Sequence, residues 1–572
     1  MKKSIALLLL IATALSLLAG CNNTSSNSTT TPTTSANSTT GTTSSGTTAP
    51  EEKPYKHFRF ANGGESFTLY SVKNMMATGS VLLNLISPGL VAMRDNEVYP
   101  YAAESYEVSA DGLTWTFHLR ENHWEDGVPV TAHDFEFTYK HWADPNTGTS
   151  NAGAWLNFIV NARALFSEKS ITDPEQLGVK AIDDKTFEIY LSDPCPYFPI
   201  LIATSSNLCP MRKDILEKHG TDYASSPQTL ISCGPFKVTE WVHDSEIVLE
   251  RRYDYPYDED IHLDKITQIF VTDPGTVANM YAADELDYAF SISAEYIDTF
   301  PGEVESNLGT GMRALVMNAW YAPPELIDLF NNKNFRMALS YAIDREALVN
   351  VIEPGVGSIP YNRMVAPFIL GVKDMYVDEY PLDIVSINGD KEKAKAYLAA
   401  ALEELGLSSV DKLPTFELQT FEGTVNRGYG EALIDTWNQV LGITTIQLTQ
   451  MPTMTLFGLM SEHTHQMVTF PGASSVDPYT TLSGWYNPQG NAEYSGWTDE
   501  AMFRRVEASN RMSDNAERLA VLAEAEQLLL DESSFIPLLM SSTASLKKDY
   551  VSGISRSLST GTVLINWVDI NQ

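Results

Sequence analysis

The sequence predicts an α/β protein of two lobes, and three observations point there. Strand and helix patterns alternate as β-α-β over residues 265–290 and again over 415–448, and such units build mostly parallel sheets covered by helices. The two units lie far apart in the chain, which suggests one for each lobe. About 520 residues follow Pro50, too many for a single hydrophobic core.

In chain order, the first segment reads as an export signal. Lys2 and Lys3 form a positive start, residues 5–18 an apolar stretch, and Ala19 and Gly20 a small-residue exit. The apolar stretch is at the short end for a membrane span. Residues 22–50 hold no charged and no large apolar side chain. They can bury no core and are expected to form a disordered Ser/Thr string, spanning roughly 30 Å if flexible.

Further on, Leu113-Thr-Trp-Thr-Phe-His-Leu119 alternates apolar and polar residues with the period of a half-buried strand. Thr131 and Asp134 read as a capping box opening a helix through Phe135, Tyr139 and Trp142. Residues 236–242 and 247–251 flank His243 and Asp244 and read as a hairpin. The first β-α-β unit is strand 265–271, helix 275–283 and strand 286–290. A helix over 334–342 runs into Asp344, which can cap a turn through Val349, and a helix over 390–405 starts at Asp390 and stops at Gly406. The second unit is strand 415–420, helix 431–441 stopped by Gly442, and strand 443–448. No repeat of short period is present. A cleft between lobes is the expected place for a ligand.

Composition narrows the partners. Removing Lys2 and Lys3 with the signal leaves 36 basic against 73 acidic residues, a net charge of −37, which argues against nucleic acid or anionic lipid. A hydrophobic fraction of 43% supplies ample core for a soluble body. Cys195, Cys209 and Cys233 fit no zinc spacing; they allow one disulfide and one free thiol, or none.

Catalytic chemistry finds little support. The sequence has no Gly-x-Ser-x-Gly elbow, phosphate loop or His-Glu-x-x-His helix, and Gly472-Ala-Ser-Ser-Val476 is only a distant echo of an elbow. Glu462, His463 and His465 could offer ligands to a metal, but the stretch reads as a solvated loop. No catalytic residues, metal or cofactor are therefore expected.

Several motifs resemble a known family. Leu18-Ala19-Gly20-Cys21 is similar to the lipobox of bacterial lipoproteins, which implies acylation of Cys21 and cleavage just before it. Beyond about Phe58 the chain resembles the extracytoplasmic solute-binding lipoproteins of ABC importers, specifically the oligopeptide- and dipeptide-binding family, family 5. Trp124-Glu-Asp-Gly-Val-Pro-Val-Thr-Ala-His-Asp134 is similar to the family's Trp-x-Asp-Gly-x-Pro-x-Thr-Ala-x-Asp signature. Ser232-Cys-Gly-Pro-Phe-Lys-Val238 resembles its Asn-Gly-Pro-Phe segment, with cysteine for asparagine. Residues 334–346 resemble its Val-Arg-x-Ala-Leu-x-x-Ala-Ile-Asp-Arg helix, and 391–406 its Ala-Lys-x-Leu-Leu helix.

The resemblance implies a periplasmic-binding-protein-like fold: two α/β lobes joined by two hinge strands, with a third domain inserted in lobe one. Residues 1–20 would be the signal and 21–50 the tether. Lobe I would comprise 51–77, 201–311 and 541–572, the inserted domain 78–200, and lobe II 312–540. The hinges would cross near 312–318 and 538–542. It also implies a monomer that captures a solute outside the cell, an oligopeptide first, and delivers it to the permease subunits, touching the membrane only through its lipid.

Peptide-binding members anchor the ligand ammonium with an aspartate in an Asp-x-x-Asp/Glu-Pro element preceded by Gly-Trp. Here that anchor falls on Ser474, the tryptophan position on Pro471, and the Asp-Pro on Asp477 and Pro478. A hydrogen bond to a charged group contributes roughly 1.5–3 kcal/mol, so serine there would weaken ammonium binding about 10- to 150-fold. Glu65 matches an acid at the family's first strand end and Asp477 is close in sequence; either can substitute. Tyr479, Trp485 and Asn491 fall in the segment that lines the cleft in relatives. Read without the family, Asp477 is a turn starter before proline, Glu65 a solvated loop acid, and the two aromatics core. Loss of the charged anchor keeps an oligosaccharide, a metal chelate or haem open as ligand. A surface peptidase is the alternative from another class.

Overall fold

The computed structural model describes residues 54–571 except 95–96, 150–155, 167, 258, 320–323, 487–491, 513 and 558–562. The expected signal, Cys21, the tether and Asn491 lie outside these residues.

The first strand, β1 (His57–Ala61), buries Phe58 and Phe60. Helix α1 (Ala77–Ile86) follows, buried along Val81, Leu82, Leu85 and Ile86. A hairpin of β2 (Val91–Arg94) and β3 (Glu97–Pro100) leads into a separate antiparallel sheet. Its strands are β4 (Ala103–Val108), β5 (Thr114–Leu119), β6 (Val179–Ala181) and β7 (Thr186–Tyr190), in the order β4-β5-β7-β6. The alternation read in the sequence places Trp115, Phe117 and Leu119 inside. Helix α2 (Ala132–Ala143) covers the sheet with Phe135, Tyr139 and Trp142, and both arms of the Thr131/Asp134 capping box are formed.

The main sheet resumes with the hairpin of β8 (Phe236–Val242) and β9 (Glu246–Arg251). Then come β10 (Lys265–Ile269), helix α3 (Pro274–Ala282) capped by Asp273, and β11 (Tyr288–Ile292). β10 and β11 do not touch. β1 lies between them and pairs parallel with both. The second crossing unit starts after β12 (Val304–Met317). Helices α4 (Lys333–Ala342), capped by Asn332, α5 (Arg345–Ile352), capped by Asp344, and α6 (Lys391–Glu404), capped by Asp390, pack around it, and the two-residue strand β13 (Ile359–Pro360) follows α5. β14 (Phe416–Phe421), helix α7 (Thr424–Leu441) and β15 (Ile446–Met451) form a parallel pair with a crossover, ended by Gly442 in the left-handed conformation. Helix α8 (Thr453–Ser461), β16 (Met467–Ala473), helix α9 (Pro478–Tyr486), helix α10 (Asn515–Glu532) and β17 (Phe535–Lys547) complete this part.

The main sheet has the strand order β15-β14-β16-β12-β17-β11-β1-β10-β9-β8, with β13 on β17. β12 and β17 are its spine, 14 and 13 residues long and antiparallel to each other. Their ladder runs from Val304↔Leu546 to Leu308↔Ser542, breaks, and resumes at Met312↔Met540. Residues 309–311 of β12 thus oppose the single Ser541 of β17, a bulge flanked by Gly309 and Gly311. One half of the sheet packs its own core around Leu339, Trp437 and Leu538. Residues from Tyr55 onward form one compact unit by themselves.

Candidate functional site

Strand directions locate the site. β11 and β12 are both antiparallel to β17, so they run the same way, and β1 and β10 run with β11. β16 is antiparallel to β12, and β14 and β15 run with β16. The carboxyl ends of β1, β10 and β11 therefore point at those of β14, β15 and β16 across the bulge. Ligands of open α/β sheets bind outside the carboxyl ends of the strands; here two such ends face one another.

On the first side, a cavity of about 290 Å³ opens where β1, β10 and β11 end, lined by Asn62, Gly63, Thr272, Ser291 and Ser293 with Pro274 at the start of α3. Glu65, two residues past Gly63, reaches the β8/β9 hairpin turn and is not a free loop acid. Its Oε1 accepts from Trp241 Nε1 (2.6 Å) and His243 Nδ1 (2.6 Å), and its Oε2 from the Asp244 amide (2.8 Å). Burial pushes this carboxyl up, but the Asp244 amide, His243 and Trp241 outweigh it and hold it below the ordinary carboxylate value.

On the second side, β16 pairs with β12 out to Ala473, while β14 accompanies it only at Leu418↔Met467 and Gln419↔Val468. The end of β16 thus leaves β14, and Pro471 there is exposed. Ser474 follows directly. It is buried, its Oγ accepts from the Ala366 amide (3.0 Å) and lies 3.3 Å from Thr481 Oγ1, and its own amide donates to Thr310 O (2.9 Å) inside the bulge. Asp477 accepts from the Tyr479 amide (2.8 Å), as a turn starter should, and both its oxygens receive Arg518 Nη1 and Nη2 at 2.8 and 2.6 Å. Tyr479 is buried, and Trp485 is 1% exposed with its ring edge-on to Phe535 at 4.2 Å.

The structure therefore brings Ser474, Asp477, Tyr479 and Trp485 together at the end of β16 and the start of α9, and sets Glu65 on the opposing side. The side chains of Ser474 and Asp477 already have partners within the protein. Two wider depressions lie elsewhere: one of about 600 Å³ between α7 and β15, reaching Gln450 near the end of that strand, and one of about 560 Å³ beside α10.

Two further expectations take definite form. His465 is not part of a solvated loop: it is fully buried, its Nε2–H donates to Tyr494 O at 2.6 Å, and burial pushes it down to about 4. Cys195, Cys209 and Cys233 are all free and buried. Among the described residues no group of three or more His, Cys, Asp or Glu could hold a metal, and no helix is long and apolar enough to cross a membrane.

The sequence reading missed Arg313 and Asn426, which meet at the start of α7. A signal was there for the first: Arg313 is the one charge in the run from Gly311 to Ala319.

A family model described as "Bacterial extracellular solute-binding proteins, family 5 Middle" matches residues 97–493. The chain is 27% identical to the oligopeptide-binding protein OppA of Bacillus subtilis (strain 168), over 83% of this chain and 85% of that one. It is 28% identical to the dipeptide-binding protein DppE of the same organism, over 86% and 87%, and 29% identical to the periplasmic oligopeptide-binding protein OppA of Salmonella typhimurium, over 79% and 81%. Among solved structures, the substrate-binding domain of an oligopeptide ABC transporter from Bacillus anthracis matches with a TM-score of 0.69 at 25% identity, covering 91% of this chain and 99% of that one. The unliganded open form of the murein tripeptide binding protein MppA matches with a TM-score of 0.76 at 22% identity, covering 91% and 98%.

Proposed function

The chain belongs to the bacterial extracellular solute-binding proteins of family 5, and from that premise we propose that it is the substrate-binding component of an ABC importer that captures an oligopeptide. The observation that carries this reading is the confrontation of two sets of parallel-strand carboxyl ends across the β12/β17 bulge. Its relatives named for oligopeptides and dipeptides support the ligand class, and these families bind solutes rather than transform them.

In this reading, residues 51–77, 201–311 and 541–572 form lobe I, 78–200 the inserted domain and 312–540 lobe II. Solute contacts to both lobes favour a closed arrangement, reached by bending at the two crossing strands, and a membrane permease reads that arrangement. An extended peptide offers main-chain groups that pair with the end of β16 where β14 departs, which tolerates varied side chains. Glu65, kept ionised by its three donors, supplies the negative charge opposite Ser474 that a peptide ammonium needs. Tyr479 and Trp485 belong to the wall behind it.

Outside the lobes, acylation of Cys21 and the string over residues 22–50 would anchor a monomeric body to the membrane while leaving it free to swivel.

Native mass spectrometry of the body from residue 51, gently desalted and then denatured, tests the proposal. Peptides of mixed sequence and narrow length are expected among the released molecules. A sugar, haem or metal chelate would replace the ligand class, and cleavage of offered peptides would overturn a binding role altogether.

A further inference from the structure

Among the described residues, one cation at the second set of strand ends forms no ion pair. Arg313 lies in β12 just past the bulge and pairs in register with the exposed Pro471. Its Nη1 donates to Asn426 Oδ1 at 2.9 Å, and its guanidinium stands 4.5 Å from the ring centroid of Tyr429. Both partners come from the first two turns of α7, where Gly423 offers no capping side chain and no acid follows in the first turn. The Nε of Arg313 is buried and donates to nothing. Glu353 is the acid that acts on it electrostatically, but no ion pair forms, and the Glu353 carboxylate accepts from Ser358 Oγ. Burial accordingly holds this guanidinium below its ordinary value, with Tyr429 and Glu353 opposing only in part.

A half-buried guanidinium whose Nε has no acceptor and which forms no ion pair is costly. The arrangement makes sense when an anion arrives from the cleft. We infer that Arg313, held by Asn426 and Tyr429, reads a carboxylate of the bound solute. This rests on the solute-binding reading of the cleft and adds the solute's charge. The guanidinium presents a planar fork of donors that matches a carboxylate, and the uncapped amides of α7 add positive potential at the same place. Asn426 fixes one arm of the fork by its carbonyl, leaving the rest for the ligand. A peptide has two sources of such a group, its C-terminus and an acidic side chain.

Titration calorimetry with three tetrapeptide libraries separates them: free acids without Asp or Glu, the same library C-terminally amidated, and the amidated library with one Glu. If the C-terminus is read, amidation weakens binding to the intact protein about 10- to 150-fold, and Arg313→Gln binds the free-acid and amidated libraries alike. If a side chain is read, the Glu-bearing library gains instead, and only with Arg313 present. Arg313→Lys, which keeps the charge but not the fork, retains part of the preference, and it carries the test if Arg313→Gln proves unfolded by its thermal transition. Equal preference in Arg313→Lys, Arg313→Gln and the intact protein overturns the inference while leaving peptide binding standing. An intact protein that binds none of the libraries overturns the oligopeptide reading, and the inference with it.

Discussion

Asp477 and Arg518 form a two-pronged ion pair with side chains only 6% and 4% exposed. The guanidinium also lies 5.3 Å from the Tyr197 ring, beyond the four-stranded sheet in sequence, so the pair ties α9 and α10 to the segment after β7.

Breaking one side of such a buried pair leaves an unpaired charge, which costs about 3–5 kcal/mol. Asp477→Ala should therefore lower the free energy of urea unfolding by that amount, and Asp477→Leu with Arg518→Met should recover much of it. A variant that keeps full stability and loses only ligand would place Asp477 at the ligand instead.

His465 makes stability depend on acid. Its neutral ring is favoured in the folded chain, with a value near 4 against 6.5 when unfolded. The unfolded chain therefore binds a proton that the folded chain refuses as pH falls from about 6.5 to about 4, and stability drops through that window, in total by on the order of 3 kcal/mol. His465→Gln, which can still donate to Tyr494 O, should flatten this limb of a Tm-against-pH curve.

The three thiols should be silent in the native protein. Burial pushes Cys209 up to about 11, and Cys195 and Cys233 higher still, so thiolate is scarce as well as shielded. Iodoacetamide at pH 8 should label none of them before unfolding and all three after it. Rapid native labelling of any one would mean that its surroundings open.

Gly234 explains part of a motif. A Cβ there would lie 2.3 Å from Leu85 O and 2.7 Å from the Ile86 carbonyl carbon at the end of α1, and the Ser232 hydroxyl and the amides of Cys233 and Gly234 all donate to Ile86 O. Gly234→Ala forces backbone apart, an overpacking cost of about 1–3 kcal/mol or more, readable as a fall in the urea midpoint with the slope unchanged.

Local chemistry was readable wherever it acts over a few residues. Thr131 with Asp134, Asp344, Asp390 and Gly442 mark the helix ends where they stand. The start of α7 was read seven residues late, because Gly428 and Gly430 look like breakers. In the structure Gly430 is there for contact: a Cβ would meet Leu448 at 2.3 Å, so the helix lies close on β15. The insertion of β1 between β10 and β11 brings together residues about two hundred positions apart, and no periodicity encodes that. The candidate site failed in the same way. Glu65 and Asp477 were visible as acids, but the side chains that engage them, His243, Trp241 and Arg518, lie 178, 176 and 41 positions distant.

The place of β17 governs the order in which the molecule can be completed. It lies between β12 and β11, yet it begins at Phe535, with only 38 of the 572 residues from there to the C-terminus. A chain that emerges N-terminus first has every other main-sheet strand available and still lacks the one that joins them. Each half must wait, half-edged, for the final segment to thread between its neighbours. Loop closure over such distances is slow, so the joining of the two halves through β17 is expected to be a late step in folding.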